Sequence, residues 1–175
     1  MPKTDRCVVV AVCGSPGAGK STVAAAVAAH LGVPLLARDE IKAGLGLSSA
    51  ASADDATVRI DPDFFVAGGP FSRRAEAAMV QAARVLASSG VGLVVESSVL
   101  SRELLDGLHE CQARVLAVHV VADEAVVGAR LRVRAAKGWA VDEQMAAAFE
   151  RGDMERAKFA PPRRRRCGHR GRHVR

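Results

Sequence analysis

The sequence predicts an α/β fold: a three-layer sandwich with a mostly parallel sheet of four to five strands between helices. Three observations carry that expectation. Short β-branched runs alternate along the chain with alanine-rich helical stretches, the pattern of a parallel sheet covered on both faces. A cluster of glycines stands where the first strand hands over to the first helix. A length of 175 residues with an apolar fraction of 49% suits one domain with a buried core.

The elements follow in order. Residues 7–13 (CVVVAVC) read as a buried strand by length and β-branching. KSTVAAAVAAHLG reads as a helix closed by Gly32. Residues 33–37 give a second short strand, and 38–47 a short helix capped near Asp39. Residues 48–70 lack periodicity and read as one long loop; loops of that length are usually functional or disordered. A helix over 72–89 ends at Gly90, and 91–96 (VGLVVE) is a third strand. A helix over 101–111 leads to a fourth strand over 113–122. Two helices follow, one over 123–138 opening at Asp123 and one over 141–159. The chain shows no internal repeat.

The glycine cluster carries the chemistry. Gly14, Ser15, Pro16, Gly17, Ala18, Gly19, Lys20 and Ser21 spell GSPGAGKS, which fits GxxxxGK[ST] after a strand and before a helix. Glycines let such a backbone wrap with its N–H groups turned toward phosphate oxygens. The helix N-terminus adds partial positive charge. Lys20 is placed to reach the β- and γ-phosphates, the Ser21 hydroxyl to ligate Mg²⁺, and Thr22 completes the cofactor-binding set. The chain contains no asparagine, so it holds no NKxD guanine-reading motif. ATP with Mg²⁺ is the expected cofactor.

Beyond this loop the sequence resembles the P-loop kinases grouped around polynucleotide kinase, zeta-toxin kinase and gluconate kinase, and the AAA family ATP-binding proteins with RDEIK at the same place. PLLARDEIKAGL after the loop and its helix carries the resemblance. It implies an NMP-kinase-like P-loop NTPase with an arginine-bearing lid helix. It also implies Asp39 as the base taking the acceptor's proton, with Arg38 and Lys42 on the substrate side. A plain alternative is that Asp39 caps a helix. Glu96 ends a predicted buried strand, where sites of such sheets gather. It is a candidate for the metal beside Ser21, or for substrate. ADEAVVGARLRVR resembles the lid, pointing to Arg130 and Arg134, which share a helix face at i,i+4. Their guanidinium forks suit charge spread over a transferring phosphoryl. Arg132 falls on another face, and Arg73 and Arg74 are weaker substrate-side candidates.

Charge is unevenly placed. The net charge is +6, yet residues 163–175 hold seven arginines and no acid, and without them 18 basic residues face 19 acidic ones. Residues 1–160 therefore read as the kinase-like domain and 161–175 as a basic, disordered tail. The resemblance implies a fifth strand after the last helix, and no apolar run supplies it. The tail is either a basic arm for nucleic acid or an acidic partner, or an aberrant end such as a frameshifted terminus. Cys167, His169 and His173 supply too few groups for a metal site. Nothing in the sequence reads as a signal peptide or membrane span, so a cytoplasmic monomer or homodimer with free thiols is expected.

Two function classes result. One is an ATP-dependent kinase moving the γ-phosphate to a hydroxyl of a small molecule or a nucleic acid end. The other is an ATP-binding module with little turnover, associated with nucleic acid through the tail.

Overall fold

The structure is a computed structural model. It describes residues 7–48, 51–52, 58–59, 68–137 and 140–153.

A four-stranded parallel sheet forms the centre. β1 (Val8–Cys13) lies between β5 (Leu93–Ser97) and β6 (Arg114–His119), and β2 (Leu35–Ala37) pairs with the far side of β5. β5 is buried at every position and β6 is partly exposed, as expected for an inner and an outer strand. All four strands point the same way, so their carboxyl ends share one edge, and ligands bind at that edge in such sheets.

The two faces are covered differently. On one, α1 (Lys20–Leu31) lays Ala24 and Ala28, one turn apart, over Val10, Val12 and Val94. Gly32 closes the helix in the left-handed region, its N–H turned back to the carbonyls of Ala28 and Ala29. On the other face, α3 (Pro70–Ser88) and α4 (Arg102–Glu110) bury Met79, Val80, Ala83, Leu104 and Leu108 against Val9, Ala11, Leu93 and Val95. Side chains alternate along a strand, so Glu96 faces the α1 side with Val94, and Ser97 the opposite side.

α2 (Arg38–Ser48) follows β2 without an intervening residue. α5 (Glu124–Ala135) and α6 (Ala140–Glu150) form a separate hairpin, in which Val127, Leu131 and Ala146 are buried with Phe149 and Met145 against them. This hairpin stands over the carboxyl edge of the sheet.

The structure corrects three expectations. Residues 48–70 are not loop throughout: β3 (Ala51–Ser52) and β4 (Val58–Arg59) pair antiparallel. Two-residue strands carry no readable period. The helix expected to be capped near Asp39 begins at Arg38, where its expected range begins, so Asp39 lies in its first turn and not at its cap. The second strand starts at Leu35, although the Pro34 carbonyl already accepts from the Val94 N–H at 2.9 Å. The expected tail at 161–175 lies outside the described residues. Among those described, the sheet has four strands and no helix is long and apolar enough to cross a membrane.

Candidate active site

The loop between β1 and α1 shows why its residues are small. A Cβ on Gly14 would stand 2.5 Å from the Val120 carbonyl oxygen, which leaves no room for any side chain there. Gly17 and Gly19 adopt positive φ of 82° and 98°, accessible to glycine at little cost. Gly19 also stands at the N-cap of α1, and the first turn of that helix holds no acid. The helix thus opens with uncapped N–H groups and the positive end of its dipole, a ready place for an anion.

Lys20 and Ser21 turn onto one carboxylate. Lys20 Nζ lies 3.0 Å from Glu96 Oε1, with side-chain exposures of 10% and 4%. Ser21 Oγ donates to Glu96 Oε2 at 3.3 Å. The strand end places Glu96 under the loop, and the first helical turn places Lys20 and Ser21 above it. Both carboxylate oxygens are engaged.

Across a cavity of about 480 Å³ the α5 helix forms the facing wall. Gly17, Gly19, Lys20, Ser21 and Thr22 line one side, and Ala129, Arg130, Val133 and Arg134 the other. Arg130 and Arg134 therefore share a face as their spacing predicts, but they make different contacts. Arg130 Nη1 donates to the carbonyls of Gly17 and Ala18 at 3.1 and 3.0 Å. Arg134 Nη2 lies 2.6 Å from Asp142 Oδ1 on α6. Arg132 points elsewhere, toward Glu150 at 3.9 Å, and both are exposed.

Asp39 stands at the end of β2, beside the end of β5, since Ala37 pairs with Glu96. Its Oδ1 accepts from Arg38 Nη2 at 2.9 Å and Nε at 3.2 Å. Burial pushes the Asp39 carboxyl up. The Arg38 charge and hydrogen bonds, with Lys20 and Lys42 beyond, outweigh it and hold the group below the ordinary carboxylate value. Lys42 is lowered, chiefly by burial, with Asp39 opposing and Arg38 adding to the fall. Asp39 is thus ionised at neutral pH within the field of Lys20.

Some candidates have local partners instead. Arg73 Nη1 donates to the Gly68 carbonyl at 2.9 Å, and the Arg74 guanidinium sits over the Phe71 ring at 5.7 Å. Two cavity-lining residues were not legible in sequence: Ala129 and Val133 look like ordinary helix surface. Nor was Asp142, which matters only through its contact with Arg134 between helices.

Residues 9–162 match the family described as AAA domain. The chain belongs to that family. No curated protein matches this AAA domain. Several solved structures do. A candidate kinase from Chloroflexus aurantiacus is 24% identical, with a TM-score of 0.63 over 77% of this chain and 69% of that one. A chain of the Pnkp1/Rnl/Hen1 RNA repair complex is 15% identical, with a TM-score of 0.54 over 89% of this chain. The AAA domain spans about half of that protein, 48%. A gluconokinase from Sinorhizobium meliloti is 20% identical over 91% of this chain and 78% of that one, with a TM-score of 0.49. The first two likenesses show the α/β P-loop fold expected from the sequence.

Proposed function

We propose that this protein is an ATP-dependent phosphotransferase that moves the γ-phosphate of MgATP to a hydroxyl of an acceptor. One observation supports the reading above others. Lys20 of the phosphate loop and Arg134 of α5 border one cavity, so a phosphoryl group there meets a cation from each of the two elements.

The donor set suits a magnesium ion. Ser21 Oγ and the Glu96 carboxylate are hard oxygen ligands side by side, and magnesium favours a few such groups plus water and phosphate. Among the described residues no group of three or more His, Cys, Asp or Glu could hold a metal. Bound MgATP would supply the phosphoryl group and a cation to offset its charge.

The chain's own residues do the remainder. Loop amides and Lys20 hold the phosphates. Asp39 orients the acceptor hydroxyl and takes its proton as the acceptor oxygen bonds to the γ-phosphorus. The bond from that phosphorus to the β-bridging oxygen breaks, and the charge leaves on the diphosphate. Arg134 stabilises charge spread over the phosphoryl in a loose transition state. Arg38 and Lys42 flank Asp39 and are placed on the acceptor's side.

The acceptor is a hydroxyl of a small molecule or a nucleic acid end. The likeness to an RNA repair chain and the arginine-rich residues 163–175 motivate the nucleic acid option. The test is ATP consumption by the full chain against sugars, nucleosides, antibiotics and 5′-OH oligonucleotides. Consumption with one class, lost in Asp39→Asn, supports the kinase. Tight MgATP binding without consumption in any arm replaces it with a nucleotide-binding module.

A further inference from the structure

We infer that Arg130 is a positioning residue: it ties the α5–α6 hairpin to the outer side of the phosphate loop, so that loop order and lid docking are one equilibrium. The inference deepens the reading above, since it concerns the same site, and it separates two arginines that sequence treats as equivalent.

The contacts are specific. A single nitrogen of Arg130, Nη1, lies within hydrogen-bond distance of two consecutive carbonyls, those of Gly17 and Ala18. The hairpin also packs directly on the loop. A Cβ on Gly17 would stand 3.0 Å from Val127 Cγ1 and 3.3 Å from Leu131 Cγ, both residues fully buried. A Cβ on Gly19 would stand 3.1 Å from Arg130 Nη1. Gly17 thus leaves α5 room to approach the loop, while a side chain at Gly19 would press on the end of Arg130, and both glycines also serve their own backbone angles.

Peptide geometry gives the contact a function. In a trans peptide the C=O and the next N–H point opposite ways. With the Ala18 carbonyl turned out to Arg130, the Gly19 N–H turns to the inner side of the loop. A cation on the outer side offsets carbonyl dipoles left there when the amides converge on an anion. Phosphate on the inner side polarises the same peptide units and strengthens their bonds to Arg130. Coupling of this kind is reciprocal: phosphate favours the docked hairpin, and the docked hairpin favours phosphate. Arg134 faces the same cavity but has no bond to the loop among those described, and its ion pair is with α6.

The test begins without nucleotide, so its result is independent of whether the protein is a kinase. Amide hydrogen exchange over residues 17–21 is measured in the full-length protein and in Arg130→Ala, Arg130→Lys and Arg132→Ala. Arg132→Ala removes the same charge from another face of α5. Exchange of the loop is expected to rise about tenfold in Arg130→Ala, in keeping with loss of a charge-assisted hydrogen bond. It should rise less in Arg130→Lys and stay unchanged in Arg132→Ala. In a second arm, affinities for MgATP and MgADP should fall by the same factor in Arg130→Ala, because the loop and not the γ-phosphate is affected. Unchanged loop exchange in Arg130→Ala overturns the inference. So does a loss of affinity confined to MgATP, which would make Arg130 a γ-phosphate ligand. Should Arg130→Ala fail to fold, Arg130→Lys carries the test, and loop exchange identical to the unsubstituted protein there overturns it.

Discussion

Lys20 Nζ is held 3.0 Å from Glu96 Oε1, and both side chains are buried beneath the phosphate loop. Each therefore depends on the other in the ligand-free protein. Removing one partner of a buried pair leaves a charge without compensation, at a usual cost of about 3–5 kcal/mol. Replacing both leaves none.

Lys20→Ala is accordingly expected to lose MgATP binding and also to lower stability. The loss should lie toward about 3 kcal/mol, because Lys20 borders an open cavity where water can reach Glu96. Adding Glu96→Gln should restore most of the stability and none of the affinity. Chemical denaturation and calorimetric titration of the single and double variants read the two effects separately. If Lys20→Ala binds MgATP normally, the loop does not hold the phosphates.

Glu96 also governs what the site accepts without a metal. Its carboxylate occupies Lys20 and Ser21 together, the two side chains assigned to phosphate and metal. Nucleotide alone must draw Lys20 from a buried carboxylate and then sit beside that negative charge. We expect metal-free ATP to bind Glu96→Gln about ten times more tightly than the unsubstituted protein, the scale of one relieved like-charge contact in a partly screened site. The advantage of MgATP over ATP should shrink in parallel. Equal metal dependence in both proteins would remove Glu96 from the metal's surroundings.

Asp39 separates chemistry from binding. Asp39→Asn keeps the size and removes the charge proposed to accept the proton, so transfer should fall by about 10²–10⁴-fold while MgATP affinity stays close to its starting value. The pH dependence follows from the pairing with Arg38. A carboxyl whose folded pKa is depressed adds stability above its unfolded value, about 3.9, and loses it as pH falls through the lower folded value. The acid limb due to Asp39 therefore lies below the ordinary carboxylate range, and Arg38→Ala should move it upward. A rate profile with the same acid limb in both proteins would show that Asp39 is not the titrating group.

What the sequence revealed and what it hid follow from the range of the forces involved. The loop from Gly14 to Ser21 was legible because its motif has fixed spacing at a strand-to-helix junction. Glu96 was legible as the end of a short apolar run, although only the strand's two-residue period places it on the α1 side with Lys20. Asp39 looked like a cap because aspartate favours that position, yet β2 runs directly into α2 and moves it into the first turn. The pairing of Ala51–Ser52 with Val58–Arg59 is too short to leave a pattern. The i,i+4 spacing of Arg130 and Arg134 fixed their shared face but not their partners, which belong to elements more than a hundred residues away in one case and to the next helix in the other.

That next helix supplies the last prediction. Asp142 is the partner of Arg134, and its side chain is only 14% exposed while Arg134 is about half exposed at 48%. The acid thus anchors the base of the interaction, and the arginine can still extend over the cavity. Arg134→Ala should depress phosphoryl transfer strongly, on the order of 10²–10³-fold if it stabilises transition-state charge, with a much smaller effect on MgADP affinity. Asp142→Asn keeps the packing and removes the anchor. Its effect should be smaller than that of Arg134→Ala, and the double variant Arg134→Ala with Asp142→Asn should be no slower than Arg134→Ala, because Asp142 acts through the arginine. Single-turnover rates of the four proteins give the double-mutant cycle. Additive losses would mean that Asp142 and Arg134 act independently, and that the ion pair serves only to hold α5 to α6.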